Sequence, residues 1–522
     1  MKKLKIKKLH KDYLEVTMKK KLKKLGLLAL VFVVFMSSLV IVQHQKQFLQ
    51  VEAATVNTWN GDMPKYVFMF IGDGLSYAQI VAATDYLGVE KYENKVGSDV
   101  DLAFTQFEVA GTATTFDSTS FCPDSASTAT SISTGNKTHS GVVNMDMTKT
   151  KVYETISEKL KKQKGYKIGI ISSVPINHAT PAAFYAHQAS RNNYYDIGIE
   201  LINSNFDYFA GGGLLQVEGK EGDQRNLVEL AKQKGFEVPE TTEEILSLHS
   251  QDAPVLAISP DVDAGMALPY EIDREEGALS LADFTRKGID VLDNDKGFFM
   301  MVEGGKIDWA CHANDAMAAI GDVLAFNEAV EEAVKFYNQH PNDTLIIVTG
   351  DHETGGLTMG YAATGYSTYL DILGNQTMSY AMFDEKIAGY REENVPFETV
   401  VKDIETNFGL ITSEHPEAEE NPSRVLSEYE LQKLQDAYTM SMITKEDRTY
   451  SDADKLLYGG YEPLSVTITH VMNNKAGIGW TSYSHTGVPV GVFAKGVGEE
   501  LFNGYYDNTD IFSKLSALTG TR

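Results

Sequence analysis

Short apolar runs that lead directly into an acidic residue and glycine constrain the fold of this 522-residue chain more than any other feature. Residues 66–71 (YVFMFI) lead into GDG at Asp73, and residues 344–348 (TLIIV) lead into TGDH at Asp351 and His352. A run of this kind is typical of a strand buried on both faces. Asp and Gly are common in any turn after a strand. Their recurrence in the same place predicts strands that carry carboxylates at their ends.

Helical and strand patterns alternate along the chain. Residues 153–164 have a helical pattern and precede KIGIIS, and residues 280–293 precede GFFMMV in the same way. This alternation predicts an α/β fold with a large, mostly parallel central β-sheet flanked by helices on both faces. Large α/β enzymes often fold as one elaborated domain, and the sequence has no internal repeat.

The segment EGGKIDWACH, which follows GFFMMV, contains three potential metal ligands. If a helix begins here, Asp308 and His312 lie on one face because they are four residues apart, and Glu303 precedes them. A carboxylate beside an imidazole suits zinc. Such a pair on a helix is more often only a solvated face, so the site depends on ligands elsewhere. Asp351 and His352 are adjacent and could share an ion only on a turned, glycine-flanked loop.

A second informative segment is FCPDSASTATSISTG. Residues 125–133 contain almost no large side chains and end at Gly135, which predicts a helix closely packed by small residues and terminated by a left-handed glycine. Asp124 and Ser125 then lie at the helix N-terminus, where backbone N–H groups and the helix dipole favour an anion such as phosphate. The commoner use of Asp or Ser at this position is as an N-cap.

Six motifs taken together resemble the alkaline phosphatase family, secreted metal-dependent phosphomonoesterases. The motifs IGDG, PDSASTATSISTG, NHATPAAFYAH, VEGGKIDWACH, TGDHETGG and YSHTG occur in family order between residues 65 and 496. By resemblance, Ser125 is the nucleophile of a phosphoserine mechanism, Arg191 clamps the phosphate and Asp124 orients Arg191. The resemblance also implies two Zn²⁺ ions and one Mg²⁺ ion. One zinc takes Asp308, His312 and His485; the other takes Asp73, Asp351 and His352 with Ser125; magnesium takes Asp73, Thr180 and Glu303.

Two positions depart from the best-known bacterial members, which carry Asp and Lys where this chain has His178 and Trp309. A histidine is neutral or weakly cationic near pH 7, so His178 is expected to bind a metal-bound water and to change magnesium affinity. This pair resembles the marine bacterial subgroup. Trp309 either lines the phosphate entrance or simply packs.

Other functions remain open at this stage. A phosphodiesterase or a sulfatase of the same superfamily would share the two-zinc site. A sulfatase nucleophile motif, however, places Pro two residues after Cys, whereas Pro123 directly follows Cys122. A non-catalytic protein that stores metal or phosphate would not need Ser125 aligned with the ligands.

Charge and the N-terminus predict export. The formal net charge is −26, while residues 1–53 carry 12 Lys and three acidic residues, so the remainder is about −35. So acidic a surface disfavours nucleic acids as partners. By resemblance to the family, small phosphate monoesters are the expected substrates. Lysines precede the apolar residues 25–42, and VEA offers a cleavage site after Ala53. Residues 1–53 are thus expected to be a signal peptide of a secreted or cell-surface protein, Met18 being an alternative start and an uncleaved membrane anchor the alternative.

Residues 54–522 are expected to form one catalytic domain with an insertion at about residues 361–475. This segment contains a predicted helix at residues 425–438, and by resemblance it forms a crown-like cover that contacts the partner of a homodimer. Only Cys122 and Cys311 are present, too few for a disulfide framework. Whether they pair is open, and two buried thiols are at least as plausible.

Overall fold

The computed structural model describes residues 59–91, 100–250 and 254–522. Residues from Gly61 to Arg522 form one compact unit, and of the preceding segment only residues 59 and 60 are described. The predicted leader, its alternative start and the boundary after residue 53 lie outside the described residues. In the described ranges, no helix combines the length and the apolar composition that crossing a bilayer requires.

Thirteen strands occur in the described ranges. They are β1 (Tyr66–Gly72), β2 (Val109–Thr114), β3 (Lys167–Ser172), β4 (Tyr208–Gly211), β5 (Val255–Ile258), β6 (Phe298–Gly304), β7 (Thr344–Gly350), β8 (Glu353–Thr354), β9 (Thr358–Met359), β10 (Ile478–Gly479), β11 (His485–Thr486), β12 (Val490–Gly496) and β13 (Gly504–Asp507). Nine of them form the central sheet in the order β13-β2-β12-β7-β1-β6-β3-β4-β5. Within it, β12 runs antiparallel to its neighbours β7 and β2 and the remaining pairs are parallel. The predicted mostly parallel α/β fold is confirmed.

Sixteen α-helices accompany the sheet in the same ranges. They are α1 (Tyr77–Lys91), α2 (Ser125–Thr134), α3 (Ile156–Lys164), α4 (Ala179–Ala182), α5 (Tyr194–Asn203), α6 (Leu227–Lys234), α7 (Thr242–Ser247), α8 (Leu281–Leu292), α9 (Lys306–His312), α10 (Ala316–Tyr337), α11 (Tyr380–Glu393), α12 (Phe397–Phe408), α13 (Glu428–Ser441), α14 (Asp452–Tyr458), α15 (Pro463–Ala476) and α16 (Thr509–Thr519). Short 3-10 helices occur at Ala103–Gln106, Glu271–Asp273, Leu370–Asn375 and Glu499–Phe502.

Strand register places the predicted ligands at one edge of the sheet. All seven residues of β1 are buried, as are those of β6 and β7 on either side of it. Gly72 of β1 lies opposite Gly304 of β6 and Gly350 of β7. Because the three strands are parallel and in register, their carboxyl ends meet, and Asp73, Glu303 and Asp351 converge there. This is the edge at which open parallel sheets bind ligands.

The insertion is a helical unit with its own apolar core. Helices α11 to α15 bury Phe383, Ile404, Leu434 and Met472 among other residues, separately from the core of the main sheet. Sequence analysis misplaced one of its helices, because α13 begins at Glu428 rather than at residue 425. Ser427 and Glu430 form a capping box there, each side chain bonding the other's backbone N–H.

A smaller departure concerns the cysteines. Cys122 is exposed and Cys311 is buried, so the expectation of two buried thiols is wrong for Cys122.

Candidate active site

Asp73, Asp351 and His352 form the first ligand group, directly after β1 and β7. Their ligand atoms all lie within 4.8 Å of one another. His352 Nε2 is 3.3 Å from both Asp73 Oδ1 and Asp351 Oδ2. The turn that brings the adjacent pair to one point continues through Gly355 and Gly356, both with positive φ (87° and 60°). The glycine-flanked loop predicted from TGDHETGG is present.

The carboxylates of the first ligand group face one another in a buried site, where the Arg191 charge offsets only part of that of Asp73. Burial, followed by the charges of Asp351 and Asp308, raises the pKa of Asp73 well above its ordinary value. Burial and Asp308 likewise raise the pKa of Asp351 to about 7. Since buried carboxylates that face one another are costly without a cation, a divalent ion fits this donor set.

Asp308, His312 and His485 form the second ligand group, whose ligand atoms also lie within 4.8 Å of one another. Asp308 and His312 occupy one face of α9, as predicted, with His312 Nε2 3.4 Å from Asp308 Oδ2. His485 arrives from β11, and its Nε2 is 3.5 Å from Asp308 Oδ1 and 3.1 Å from His312 Nε2. Two imidazole nitrogens and one carboxylate are the donors that zinc prefers.

Backbone carbonyls orient both histidines of the second ligand group. His312 Nδ1 lies 2.6 Å from the Tyr483 carbonyl oxygen, and His485 Nδ1 lies 2.5 Å from that of Pro123. A carbonyl accepts only from a protonated nitrogen, so each Nδ1 carries hydrogen and each Nε2 is free to ligate. These partners have no local signal in the sequence, because Pro123 and His485 are 362 residues apart.

The two ligand groups are adjacent. The rings of His352 and His485 stack with centroids 3.6 Å apart. Thr354 joins the groups, since its Oγ1 donates to Asp308 Oδ1 at 2.5 Å and lies 3.3 Å from His352 Nδ1. Thr354 belongs to the TGDHETGG segment, yet sequence analysis gave it no role.

Ser125 is the first residue of α2 and is 2% exposed. Its Oγ lies 3.2 Å from His352 Nε2 and 3.4 Å from Asp73 Oδ1, so it touches the first ligand group. The predicted helix and its left-handed terminator are present, with Gly135 at φ 71°. The hydroxyl therefore combines a helix N-terminus with a metal-ligand set, both of which favour its ionised form.

Asp124 caps α2 and also holds Arg191. Its Oδ1 accepts from the Ser127 N–H at 3.1 Å and from the Gly141 N–H at 2.9 Å. Its Oδ2 accepts from Arg191 Nη1 at 2.9 Å. Burial alone would raise the pKa of Asp124, but Arg191 and these hydrogen bonds lower it below its usual value. Asp124 thus performs both tasks considered from the sequence, the cap and the guanidinium support.

Thr180 and Glu303 lie beside the first ligand group. Thr180 Oγ1 donates to Asp73 Oδ2 at 3.4 Å. Glu303 is fully buried; Ser172 donates to its Oε2, while its Oε1 has no hydrogen-bond partner among the residues that the structure describes. Burial and the Asp351 charge raise the pKa of Glu303 to about 8. An orphaned carboxylate oxygen beside a second carboxylate and a hydroxyl is the oxygen donor set of a third, harder cation.

His178 and Trp309 stand on the Arg191 side of the site. Their rings are 5.9 Å apart and perpendicular, and His178 Nε2 lies 3.3 Å from Arg191 Nη2. Burial and the Arg191 charge lower the pKa of His178 to about 3, so the ring is neutral, as expected. Its Nδ1 is buried and has no hydrogen-bond partner within the described ranges.

A cavity of about 370 Å³, the phosphate cavity, opens above Ser125. Arg191, Trp309 and the second ligand group line it, together with Tyr380 and Tyr461 of the insertion. Sequence analysis missed both tyrosines, which lie in a segment without a recognisable motif.

Comparison with known proteins shows which family this chain resembles. The alkaline phosphatase family profile matches residues 64–521. Alkaline phosphatase 4 of Bacillus subtilis (strain 168) is 33% identical over 394 residues, which covers 74% of each chain. Alkaline phosphatase 3 of the same organism is 30% identical over 466 residues, covering 87% of this chain and 88% of the relative.

Solved structures show the same architecture. A cold-active alkaline phosphatase from the psychrophile Shewanella sp. superposes with a TM-score of 0.70 at 28% identity, covering 87% of this chain and 99% of that one. The alkaline phosphatase of the Antarctic bacterium TAB5 gives a TM-score of 0.58 at 25% identity, covering 88% and 99%.

Proposed function

The chain belongs to the alkaline phosphatase family and is a metal-dependent phosphomonoesterase, and on this premise we propose that Ser125 is its nucleophile. The observation that carries this proposal is the position of Ser125 Oγ, at the N-terminus of α2 and 3.2 Å from His352 Nε2. The family match favours neither of the two alternative activities considered from the sequence, that of a phosphodiesterase or that of a sulfatase.

Three cations complete the site in this proposal. The second ligand group holds one Zn²⁺, the first ligand group with Ser125 holds the other, and Asp73, Thr180 and Glu303 hold Mg²⁺. When bound, such ions supply positive charge to the attacking and leaving oxygens and lower the pKa of a coordinated hydroxyl or water. The raised pKa values of Asp73, Asp351 and Glu303 support this assignment, because each carboxylate gains a counter-charge.

Ser125 Oγ attacks the phosphorus atom, and the bond from phosphorus to the alcohol oxygen breaks as the Oγ–P bond forms. Water then attacks the phosphoserine, which releases inorganic phosphate and restores the Ser125 hydroxyl. Arg191 grips two of the non-reacting phosphate oxygens through its planar guanidinium, and Asp124 holds that guanidinium in place. The N–H groups at the start of α2 add positive potential at the same point.

His178 is proposed to hold a water molecule of the magnesium site through its neutral ring. Support comes from its unpartnered, buried Nδ1 and from its low pKa. A structure of a His-to-Asp variant of the TAB5 enzyme contains Mg bound in its M3 site. We therefore propose that a carboxylate at position 178 would strengthen magnesium binding here.

Export and dimer formation are further proposals. Residues 1–53 would direct secretion with cleavage after Ala53, and an uncleaved anchor is the alternative. Sequencing of the exported protein's N-terminus distinguishes the two.

The insertion would contact a second copy in a homodimer, as the family resemblance implies. Sedimentation of the full catalytic domain with and without residues 361–475 tests this.

Ser125→Ala tests the proposed function, with Ser133→Ala as the matched control on the same helix. Ser133 Oγ bonds only within the buried interior, to Thr130 and Asn144. We expect Ser125→Ala to lower kcat by roughly three orders of magnitude or more while Ser133→Ala stays within a few-fold of wild type. An unchanged rate in Ser125→Ala would refute the phosphoserine mechanism.

Loss of activity on chelation, and recovery with zinc, tests the cation assignment.

A further inference from the structure

The insertion contributes two aromatic side chains to the mouth of the phosphate cavity. Tyr380 begins α11, Tyr461 precedes α15, and both are half-buried where they line the cavity with Trp309. Ser125 lies at the buried end. Since the attacking and leaving oxygens are roughly in line, the leaving alcohol points away from Ser125 and towards these rings.

Neighbouring rings hold the two tyrosines in a fixed arrangement. The Tyr380 and Tyr461 rings meet edge to face, with centroids 6.0 Å apart at 81°. Tyr461 also stacks on Tyr483 at 6.0 Å, and the Tyr270 hydroxyl donates to the Tyr380 hydroxyl at 3.2 Å. Rings fixed in this way can bind another aromatic ring without losing further side-chain freedom.

Asp315 links the segment that carries Tyr380 to α9, the helix that carries Asp308 and His312. It follows α9 by three residues and is fully buried. Its Oδ2 accepts from the Tyr380 backbone N–H at 2.9 Å, and both of its oxygens accept from Gln376 Nε2 at 2.9 and 3.0 Å. The position of Tyr380 relative to the second ligand group is therefore built into the fold.

A larger cavity of about 940 Å³, the acidic cavity, shares Trp309 and Tyr380 with the phosphate cavity. Among the described residues, eight acidic side chains line it, and Lys306 is the one basic lining residue. Lys306 is fully buried and neutralises Asp263, with Nζ 2.5 Å from Asp263 Oδ2 and 3.6 Å from the Tyr270 ring centroid. Glu275 and Glu276 are among the exposed remainder. The potential behind Trp309 and Tyr380 is thus negative, and it repels an anionic leaving group.

We propose that Trp309, Tyr380 and Tyr461 form the leaving-group subsite of this enzyme, and that it selects phosphate monoesters of a planar ring without negative charge. This inference rests on the proposed function, because it concerns the alcohol released when Ser125 takes the phosphoryl group. The tyrosines supply the preference for a ring, and the acidic cavity supplies the discrimination by charge.

The ring preference is tested with phenyl phosphate and ethyl phosphate as substrates of the metal-loaded enzyme. Their chemical reactivities differ, so the measured quantity is the change in the ratio of their kcat/KM values between wild type and variant. Tyr461→Leu is expected to lower the phenyl-to-ethyl ratio by roughly threefold to tenfold, the range of one aromatic contact. Tyr461→Phe keeps the ring and is expected to retain the wild-type ratio. An unchanged ratio in a folded Tyr461→Leu protein would overturn the ring assignment.

The charge preference is tested with three phenyl phosphates that carry aminomethyl, hydroxymethyl or carboxymethyl groups at the para position. The methylene spacer keeps the phenol leaving groups chemically similar. One carboxylate at about 10 Å in water changes the binding of a singly charged ester roughly twofold relative to a neutral one, and therefore changes the cationic-to-anionic ratio roughly fourfold. Several carboxylates at this and greater distances predict at least roughly tenfold higher kcat/KM for the cationic than for the anionic ester at low salt. The difference should shrink at high salt because mobile ions screen it.

A paired variant locates the source of the charge effect. Glu275→Gln with Glu276→Gln is expected to reduce the cationic-to-anionic ratio roughly fourfold or more at low salt. Glu419→Gln with Glu420→Gln is the matched control, two adjacent exposed glutamates that line neither cavity, and it should leave the ratio unchanged. Equal kcat/KM values for the three esters, or equal effects of the two paired variants, would overturn the charge assignment. Absence of metal-dependent hydrolysis of phenyl phosphate itself would instead refute the proposed function.

Discussion

Replacing Asp124 separates two tasks that one side chain performs. Its Oδ1 accepts from the N–H groups of Ser127 and Gly141, and its Oδ2 accepts from Arg191 Nη1 at 2.9 Å. Asp124→Asn keeps an oxygen for the helix cap but removes the charge that holds the guanidinium. Asp124→Ala removes both. Asn and Asp are comparable N-caps, whereas Ala costs about 1 kcal/mol.

The size of the effect follows from the contact. A hydrogen bond to a charged group contributes about 1.5–3 kcal/mol. The Asp124 and Arg191 side chains are each 21% exposed, which places this pair near the lower limit. A loss of about 1.5 kcal/mol is roughly tenfold in binding. We therefore expect Asp124→Asn to raise KM and the inhibition constant of inorganic phosphate roughly tenfold, with nearly unchanged stability. Asp124→Ala should show the same kinetic change and an additional loss of about 1 kcal/mol in unfolding free energy.

Competitive inhibition by phosphate and urea unfolding measure the two quantities separately. A double-mutant cycle with Arg191→Ala isolates the pair, because Asp124→Asn should have little further effect on phosphate binding once the guanidinium is gone. If phosphate inhibits Asp124→Asn as strongly as wild type, or if the change persists in the Arg191→Ala background, Asp124 does not act through Arg191.

Three other substitutions, one of them with a matched control, test separate parts of the structure. His178→Asp should raise magnesium affinity by adding a carboxylate two residues before Thr180, a proposed magnesium ligand, and a magnesium titration that shows no change would contradict the proposed third site. Gly135→Ala should lower the unfolding free energy by about 2 kcal/mol, because φ is 71° and a new Cβ would lie 2.6 Å from Phe512 Cδ1. Gly222→Ala is the control, since φ is 68° there but the space around it is open, and it should cost about 1 kcal/mol. Equal losses in the two variants would contradict a steric clash with Phe512. Burial lowers the pKa of His187, but two glutamates raise it to about 10. The protonated His187 ring therefore contributes its full stabilisation below the unfolded pKa of about 6.5, and this contribution is lost as pH rises towards 10. His187→Gln should flatten the dependence of the unfolding free energy on pH in this range. Parallel pH profiles for wild type and variant would refute the link between His187 protonation and stability.

The metal-ligand side of the site could be predicted because its residues follow strands and helices with strong local signals. Asp73 and Asp351 follow fully buried, mostly apolar strands, and the spacing of Asp308 and His312 places them on one helical face whatever surrounds them. The small-residue helix with Asp124 ahead of it was equally clear. Parallel register then brings these points together.

The aromatic side of the site could not be predicted, because its residues carry no local pattern. Tyr380 is positioned by its backbone bond to Asp315 and Tyr461 by its ring contacts with Tyr380 and Tyr483, and Pro123 meets His485 across 362 residues. The start of α13 shows the same limit. Val425 continues the apolar pattern of that helix in the sequence. Its backbone, however, forms a β-bridge with Ile411, so Val425 is not part of the helix.

Trapping of the phosphoenzyme tests the central claim most directly. The zinc- and magnesium-loaded enzyme is mixed with a phosphate monoester, quenched in acid and digested, and the peptides are examined by mass spectrometry. The structure predicts one added phosphoryl group on the peptide that begins α2, located at Ser125 and absent from Ser125→Ala. Rapid hydrolysis with no phosphoryl group on Ser125, or with the group on another residue, would contradict it.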